Sequence, residues 1–275
     1  MAEPAQTHAP NRPDGHAHED AAPDRGPRPR LILMPGMGTD GRALQPQRAI
    51  DADVTVLEWL EPDEREPLDR YAGRLADGLD LKGTADRKAP PPSVAPGSVG
   101  PLYVGGVSLG AMIALELGRV LHARRERTGA PVAGIFIIGG AQSGEQIATP
   151  LRCSAWLARH TVFPRVLVRP SLPIVARFVK FSEGLDDEQR RLVRDMLQDL
   201  STPMLRWQAT AACAWALDGD PAAPVHSIHG AQDGVITRQE GEVDQMVEGG
   251  KHLINMTHAD EVNAFIEARM AAAGA

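Results

Sequence analysis

Ser108 lies in a segment whose residue types and spacing indicate reaction chemistry. The pattern Gly106-x-Ser108-x-Gly110 follows the apolar run 102–107 and leads into a helical pattern. A strand, a sharp turn and a helix in that order lift the middle residue above the carboxyl end of the strand, and the flanking glycines avoid a collision with neighbouring backbone. Ser108 is therefore a candidate nucleophile. The alternative is a glycine-rich turn that only packs closely, so the decision depends on whether a base, an acid and an oxyanion donor occur elsewhere.

An acid and a base follow Ser108 along the chain, each in a loop behind a predicted strand. Asp233 follows a strand-like segment that begins at residue 224, and His252 follows the alternating segment 242–247. A serine hydroxyl is a poor nucleophile until an imidazole removes its proton, and the imidazole needs a carboxylate to fix its tautomer. These residue types are the ones that nucleophilic catalysis by a serine requires.

Three other histidines compete with His252 for the role of the base. His258 precedes the last predicted helix and is better explained as its entrance. His226 and His229 lie on or just beyond a strand, where a hydrogen-bonded structural histidine is the simpler interpretation. His252 is the preferred base.

Three other aspartates compete with Asp233 for the role of the acid. Asp218 and Asp220 come before the strand rather than after it, and Asp244 falls within the predicted strand 242–247. Asp233 is preferred because acids that act with a strand-end serine lie behind the strand.

The segments around these residues predict a mostly parallel, doubly wound α/β sheet. Short apolar runs predict buried strands, and apolar residues at helical spacing predict the helices between them. The predicted strands are 31–34, 54–57, 102–107, 133–140, one beginning at 224, and 242–247; the predicted helices include 68–81, the one after Ser108, and 259–271. Between residues 141 and 218 the alternation stops, and helical patterns cover 151–159, 172–181, 186–200 and 204–217.

This organisation divides the chain into four regions. Residues 1–28 have almost no large apolar side chain and are predicted to be a disordered tail, in which His16, His18, Glu19 and Asp20 are solvated rather than metal ligands. Residues 29–140 and 221–275 form the two parts of the core, and 82–100 within the first is an exposed loop.

Residues 141–220 are a helical insertion, interpreted as a lid because insertions between strands lie over the carboxyl ends of a sheet. The alternative is a packing subdomain without a role in selectivity. Large apolar residues on helices more often belong to a core, but those of the insertion are also candidates for the walls of a substrate pocket. They are Trp156, Phe163, Phe178, Met204, Trp207 and Trp215.

The order serine, aspartate, histidine resembles that of the α/β-hydrolase family. The segment 229–233 (His-Gly-x-x-Asp) is similar to the acid loop of that family, and 249–252 (Gly-Gly-x-His) is similar to its histidine loop. The segment 261–263 lies where members commonly carry a helix start. The resemblance covers residue 30 to the C-terminus, except for the variable lid.

The resemblance implies an oxyanion hole made by the backbone N–H groups of Leu109 and Met37. Pro35 stands where many members have a histidine, which leaves the main-chain donor in place. The implied reaction is hydrolysis of a small-molecule carboxylic ester, or a related acyl bond, through an acyl-Ser108 intermediate without a metal or organic cofactor. A serine at this position differs from the aspartate of the haloalkane dehalogenase and epoxide hydrolase branches.

Several alternatives share the same residues. Thioesterase, lactonase, amidase and acyltransferase activities use the same triad, and a non-catalytic ligand-binding protein of this fold is a further possibility. The sequence specifies neither the substrate nor the oligomeric state.

Composition excludes several other classes of protein. With 275 residues, 43% of them hydrophobic, the chain can bury a large core. Its net charge of −7, with Lys and Arg scattered, argues against nucleic-acid binding. Two distant cysteines, Cys153 and Cys213, give neither zinc-site spacing nor a disulfide scaffold. No apolar run reaches the roughly 18 residues of a membrane span, and no secretory signal is recognisable, so we expect a cytoplasmic protein.

Overall fold

A computed structural model describes residues 27–79, 100–149, 151–152, 184–238 and 242–273 of the protein. Six strands form one sheet in the order β2-β1-β3-β4-β5-β6, and every neighbouring pair is parallel. The strands are β1 (Arg30–Met34), β2 (Asp53–Val56), β3 (Leu102–Val107), β4 (Val132–Ile138), β5 (Val225–Gly230) and β6 (Gln245–Val247). The predicted parallel sheet is confirmed.

Seven α-helices lie between and after the strands in the described ranges. They are α1 (Leu68–Gly78), α2 (Leu109–Ala123), α3 (Arg125–Thr128), α4 (Asp187–Asp199), α5 (Thr202–Ala214), α6 (Ile254–Thr257) and α7 (Ala259–Ala273). Two 3₁₀ segments cover Gly41–Ala49 and Gly144–Gln146. Across the described ranges, none of the helices combines the length and apolar character that a bilayer crossing needs.

Side chains of the central strands point alternately into two cores, one on each face of the sheet. In β1, Ile32 belongs to the core that contains α1 and α2, whereas Leu33 belongs to the core that contains α7. In β4, Ile137 and Phe136 divide in the same way. A strand buried on both faces is apolar at every position, which is why β3 and β4 are continuous apolar runs in the sequence.

Helices α4 and α5 form where their sequences supply both a cap and a buried face. Asp186 and Gln189 make a reciprocal capping box at the start of α4, and the Ser201 side chain accepts a hydrogen bond from the N–H of Met204 at the start of α5. Both helices lie between β4 and β5 in the chain, as the predicted insertion requires.

The last strand is shorter than predicted. The segment 242–247 was expected to be a strand, but β6 begins at Gln245, and Asp244 lies before it. The Asp244 carboxylate accepts a hydrogen bond from the backbone N–H of Ser227 (2.7 Å), so a side chain occupies a position that a strand carbonyl would take. The reason for rejecting Asp244 as the acid was therefore wrong, although its position at the amino end of β6 still places it away from the carboxyl ends of the strands, where Ser108 lies.

Helix α5 also ends earlier than predicted. The helical pattern 204–217 continues to Leu217, but the helix ends at Ala214. Ala216 forms an isolated antiparallel bridge with Ser143, and the N–H of Leu217 donates to the carbonyl of Gln142. Pairing with the segment after β4 replaces the last helical turn.

Several predictions concern residues outside the described ranges. Most of the predicted tail 1–28, nearly all of the loop 82–100, all but the first two residues of the predicted helix 151–159, and the whole predicted helix 172–181 belong to this group. The proposed pocket residues Trp156, Phe163 and Phe178 and the cysteine Cys153 do as well.

Candidate active site

Ser108 occupies the sharp turn between β3 and α2. Its backbone has φ 55° and ψ −118°, a left-handed conformation that a residue with a side chain rarely adopts. A β-carbon on Gly106 would collide with the backbone of Gly110, and one on Gly110 would collide with the carbonyl oxygens of Met34 and Pro35. The two glycines therefore allow the close crossing of strand and helix on which this turn depends.

The Ser108 hydroxyl does not cap α2, although it stands at the N-cap position where serine normally does so. Its Oγ lies instead 2.8 Å from Nε2 of His252. Among the described residues, the N–H of Leu109 in the first turn has no hydrogen-bond acceptor. The turn thus presents the Ser108 hydroxyl to His252, beside an available backbone donor.

His252 connects Ser108 to Asp233. Its Nδ1 lies 2.8 Å from Asp233 Oδ2, while its Nε2 faces Ser108 Oγ. Because a carboxylate only accepts hydrogen bonds, Nδ1 carries the proton and Nε2 is left to accept the serine hydroxyl hydrogen. The structure brings together the three side chains that the sequence analysis selected, from loops that follow β3, β5 and β6.

Asp233 is held as a carboxylate. Its Oδ1 accepts hydrogen bonds from the backbone N–H groups of Val235 (2.8 Å) and Ile236 (3.0 Å). Burial raises the pKa of Asp233, but His252, His229 and the N–H of Ile236 together lower it by more, so the net pKa is well below the ordinary range. The acid is therefore ionised at neutral pH and fixes the tautomer of His252.

A second histidine, His229 at the end of β5, contacts the same carboxylate. Its Nε2 lies 3.2 Å from Asp233 Oδ2 and 3.1 Å from the carbonyl oxygen of Ile236, and the residue is 2% exposed. Both neighbours are acceptors, so Nε2 carries a proton. The sequence analysis explained His229 as a structural histidine and missed this contact, although the spacing of four residues between His229 and Asp233 was the available signal.

The loop after β1 lies against Ser108. A β-carbon on Gly36 would lie 3.4 Å from Cβ of Ser108, which places this loop against the serine. Met37 follows Gly36, and its N–H has no acceptor among the described residues. Both predicted oxyanion donors, Met37 and Leu109, are thus main-chain groups beside Ser108 that no other described group uses.

Helices α4 and α5 contact this same loop. The N–H of Gly38 donates to Oε1 of Gln208 on α5 (3.1 Å), and the N–H of Asp40 donates to Sδ of Met196 on α4 (3.4 Å). A β-carbon on Gly38 would also collide with Leu197 on α4. No local pattern in the sequence identifies Gln208, which lies 170 residues from its partner.

Three of the predicted pocket residues pack into the main core instead of standing apart from it. Met204 and Trp207 are buried in the same core as α1 and α2, and Trp215 packs against it. The indole N–H of Trp207 donates to the carbonyl of Glu66 (2.7 Å), and that of Trp215 donates to Glu116 Oε1 (2.8 Å). The two indole groups thus connect the insertion to the segment before α1 and to α2, on one face of the sheet.

Apart from His229, the histidines and aspartates that competed for the triad roles lie away from Ser108. His226 packs against Phe136 with ring centroids 5.6 Å apart, and burial lowers the pKa of His226. His258 accepts the N–H of Val262 through its carbonyl, so it forms the entrance to α7 as predicted. Asp218 and Asp220 are exposed and precede β5.

Within the described part of the chain, no group of three or more His, Cys, Asp or Glu side chains is arranged to hold a metal ion. The predicted cluster at 16–20 lies outside the described residues.

Comparison with solved structures gives many matches that span nearly the whole chain. An enol-lactonase from Burkholderia xenovorans LB400 is 17% identical, with a TM-score of 0.60 over 88% of this chain and 90% of that chain. The RedJ thioesterase of the prodiginine pathway in Streptomyces coelicolor is 18% identical, with a TM-score of 0.56 over 90% of each chain. A lipase-esterase related protein from Clostridium acetobutylicum ATCC 824 is 12% identical, with a TM-score of 0.61 over 87% and 93% of the two chains.

Sequence comparison adds nothing to these likenesses, since no protein-family model and no curated protein matches the chain. At such low identities the structural likeness establishes a shared fold and leaves the reaction to be argued from the site.

Proposed function

We propose that this chain, which has the α/β-hydrolase fold, is a serine hydrolase that cleaves a carboxylic ester or a related acyl bond. The observation that supports this most directly is the continuous hydrogen-bonded series from Asp233 through His252 to Ser108, with both links at 2.8 Å. A series of acid, base and hydroxyl in that order is what activates a serine.

The first half of the reaction forms an acyl-enzyme. Nε2 of His252 takes the hydroxyl proton as Ser108 Oγ attacks the carbonyl carbon, and the carbonyl oxygen becomes an oxyanion. The N–H groups of Met37 and Leu109 donate to that oxyanion. When the tetrahedral intermediate collapses, the bond to the leaving oxygen breaks, and His252 gives its proton to the departing alcohol.

The second half returns the free enzyme. A water molecule gives a proton to His252 and attacks the acyl carbon. When the second intermediate collapses, the bond from the acyl carbon to Ser108 Oγ breaks, His252 returns the proton to Oγ, and the carboxylic acid is released. Asp233 stays ionised throughout, because its role is to stabilise the imidazolium of His252 and to orient the ring.

The helices α4 and α5 support the proposal that residues 141–220 act as a lid. Both contact the loop after β1 at the edge of the sheet where Ser108 lies, through Leu197 and Gln208. A cover at this edge shapes the binding site of the acyl group.

Fluorophosphonate labelling tests the proposed chemistry without knowledge of the substrate. We expect the folded protein to be labelled at Ser108, and we expect no labelling in Ser108→Ala. Absence of labelling in the folded wild type, or labelling that survives the substitution, would refute the mechanism and favour a non-catalytic binding protein.

A substrate panel then separates the acyl classes. Short- and long-chain p-nitrophenyl esters are compared with acyl-CoA thioesters and with lactones, and kcat/KM is measured for each. We expect esters to be preferred. A preference of more than about tenfold for thioesters, equivalent to about 1.4 kcal/mol in the transition state, would assign a thioesterase instead.

A further inference from the structure

We propose that Gln208, on α5, is a positioning residue of the oxyanion hole, where it holds the peptide that follows Met37. This inference rests on the proposed function and extends it to a residue outside the triad. It connects the helical insertion directly to the part of the site that stabilises the developing negative charge.

The direction of the Met37 N–H depends on the peptide group that joins it to Gly36. The carbonyl oxygen of Gly36 accepts hydrogen bonds from the N–H of Thr39 (3.1 Å) and from Thr39 Oγ1 (2.9 Å). In a trans peptide the N–H and C=O point in opposite directions, so holding this carbonyl directs the Met37 N–H to the other side. Thr39 therefore orients the donor from one end.

Gln208 holds the next peptide group. The N–H of Gly38 donates to Gln208 Oε1 at 3.1 Å, and Gly38 has φ +76°, which is a conformation that glycine adopts freely. With one peptide bound by Thr39 and the next by Gln208, the backbone on both sides of Met37 is fixed. Without the Gln208 oxygen, the buried Gly38 N–H loses its partner and the peptide group between Met37 and Gly38 is no longer held.

Gln208 is fully buried, which supports a specific role for its side-chain oxygen as the acceptor of the Gly38 N–H. The residue is 0% exposed, and its Nε2 has no hydrogen-bond partner among the described residues. A buried amide nitrogen without a partner costs free energy, whereas an apolar side chain of similar length would fill the space without that cost. The hydrogen bond that Gln208 Oε1 accepts from the Gly38 N–H is the interaction that offsets this cost.

The test compares two substitutions of Gln208 with a matched control. Gln208→Met keeps the length of the side chain and replaces the carbonyl oxygen by a thioether, which is at most a weak acceptor. Gln208→Asn keeps the amide but withdraws it by one methylene group. The control is Gln47→Met. Gln47 is also 0% exposed, donates from Nε2 to the carbonyl of Asn255 (2.9 Å) and has an unpartnered Oε1 within the described residues. It thus reproduces the loss of a buried glutamine away from the loop after β1.

Three quantities are measured for each variant: kcat and KM on the best p-nitrophenyl ester, the inhibition constant of benzeneboronic acid, and Tm. The tetrahedral boronate adduct of Ser108 places an oxygen in the oxyanion hole, so its affinity reports the hole without turnover. We expect Gln208→Met and Gln208→Asn to lower kcat by about 10- to 100-fold, below the loss for removing a direct donor, with KM changed less than about threefold. The inhibition constant of benzeneboronic acid should rise by a similar factor.

The control separates positioning from general destabilisation. Gln47→Met should lower Tm but leave kcat and boronate affinity within about twofold of wild type. Wild-type values of kcat and boronate affinity in both Gln208 variants would overturn the inference, as would equal losses in Gln47→Met. If the wild type itself neither turns over esters nor is labelled at Ser108, the proposed function fails, and that outcome is distinct from normal activity in the Gln208 variants.

Discussion

Asp233 Oδ2 is shared by two histidines: Nδ1 of His252 lies 2.8 Å from it, and Nε2 of His229 lies 3.2 Å from it. The other carboxylate oxygen accepts two backbone N–H groups. Both carboxylate oxygens of Asp233 are thus held by hydrogen bonds. The contact with His229 restricts the position of the carboxylate relative to His252.

Replacement of His229 should reduce turnover without loss of substrate binding. His229→Leu removes one donor to the Asp233 carboxylate, and we expect kcat to fall about tenfold, equivalent to about 1.4 kcal/mol, with little change in KM. Steady-state kinetics on a p-nitrophenyl ester give both kcat and KM. His226→Leu, on the same strand but packed against Phe136, is the matched control and should retain wild-type kcat. Equal losses in the two variants would show that His229 has only a packing role.

Ser108, His252 and Asp233 should behave as a unit. We expect Ser108→Ala and His252→Ala each to lower kcat by about 10⁶-fold and Asp233→Asn to lower it by about 10⁴-fold, because the asparagine keeps the position of the side chain but no longer fixes the tautomer of His252. Burst and steady-state kinetics of the three single variants and the triple variant provide the comparison. A triple variant that is far slower than the worst single variant would contradict the joint action of the three groups.

The low pKa of Asp233 links stability to pH. Its folded-state pKa lies below the value of about 4 found for an aspartate in unfolded chains, so its ionised form stabilises the fold above about pH 4, and this contribution is lost as pH falls further. We expect the Tm of Asp233→Asn to lie below that of wild type at pH 6 and the difference to shrink at pH 3. Thermal unfolding of both proteins at the two pH values checks the sign. An equal difference at both pH values would mean that Asp233 stabilises the fold by some means other than its charge.

Replacement of two helical glycines by alanine should change the free energy of unfolding in opposite directions. Gly110→Ala places a β-carbon 2.5 Å from the carbonyl oxygen of Pro35, and we expect the free energy of unfolding to fall by more than about 2 kcal/mol. Gly73→Ala, within α1, meets nothing within 4 Å and should raise it by about 0.5–1 kcal/mol. Urea unfolding gives both values. A stable and active Gly110→Ala variant would be incompatible with the close crossing of β3 and α2.

The sequence predicts the sheet and the triad because both depend on local patterns. Apolar runs and helical spacing identify strands and helices, and the glycines around Ser108 identify the turn. The contacts of His229 and Gln208 were missed because they depend on how distant segments meet: Gln208 and Gly38 lie 170 residues apart. The predicted strand 242–247 is longer than β6, because the alternation of residue types does not reveal that the Asp244 side chain accepts a hydrogen bond from the backbone of Ser227.

His252 lies directly behind β6, a strand of three residues at the end of the sheet order. Ser108, in contrast, follows β3, which is buried along its whole length between β1 and β4. Short strands at a sheet margin open by local fluctuation at lower free energy than central strands do. We therefore expect Ser108 to lie in a part of the fold that opens later than the margin that carries His252, so that local opening of β6 separates the two side chains while the central sheet stays folded.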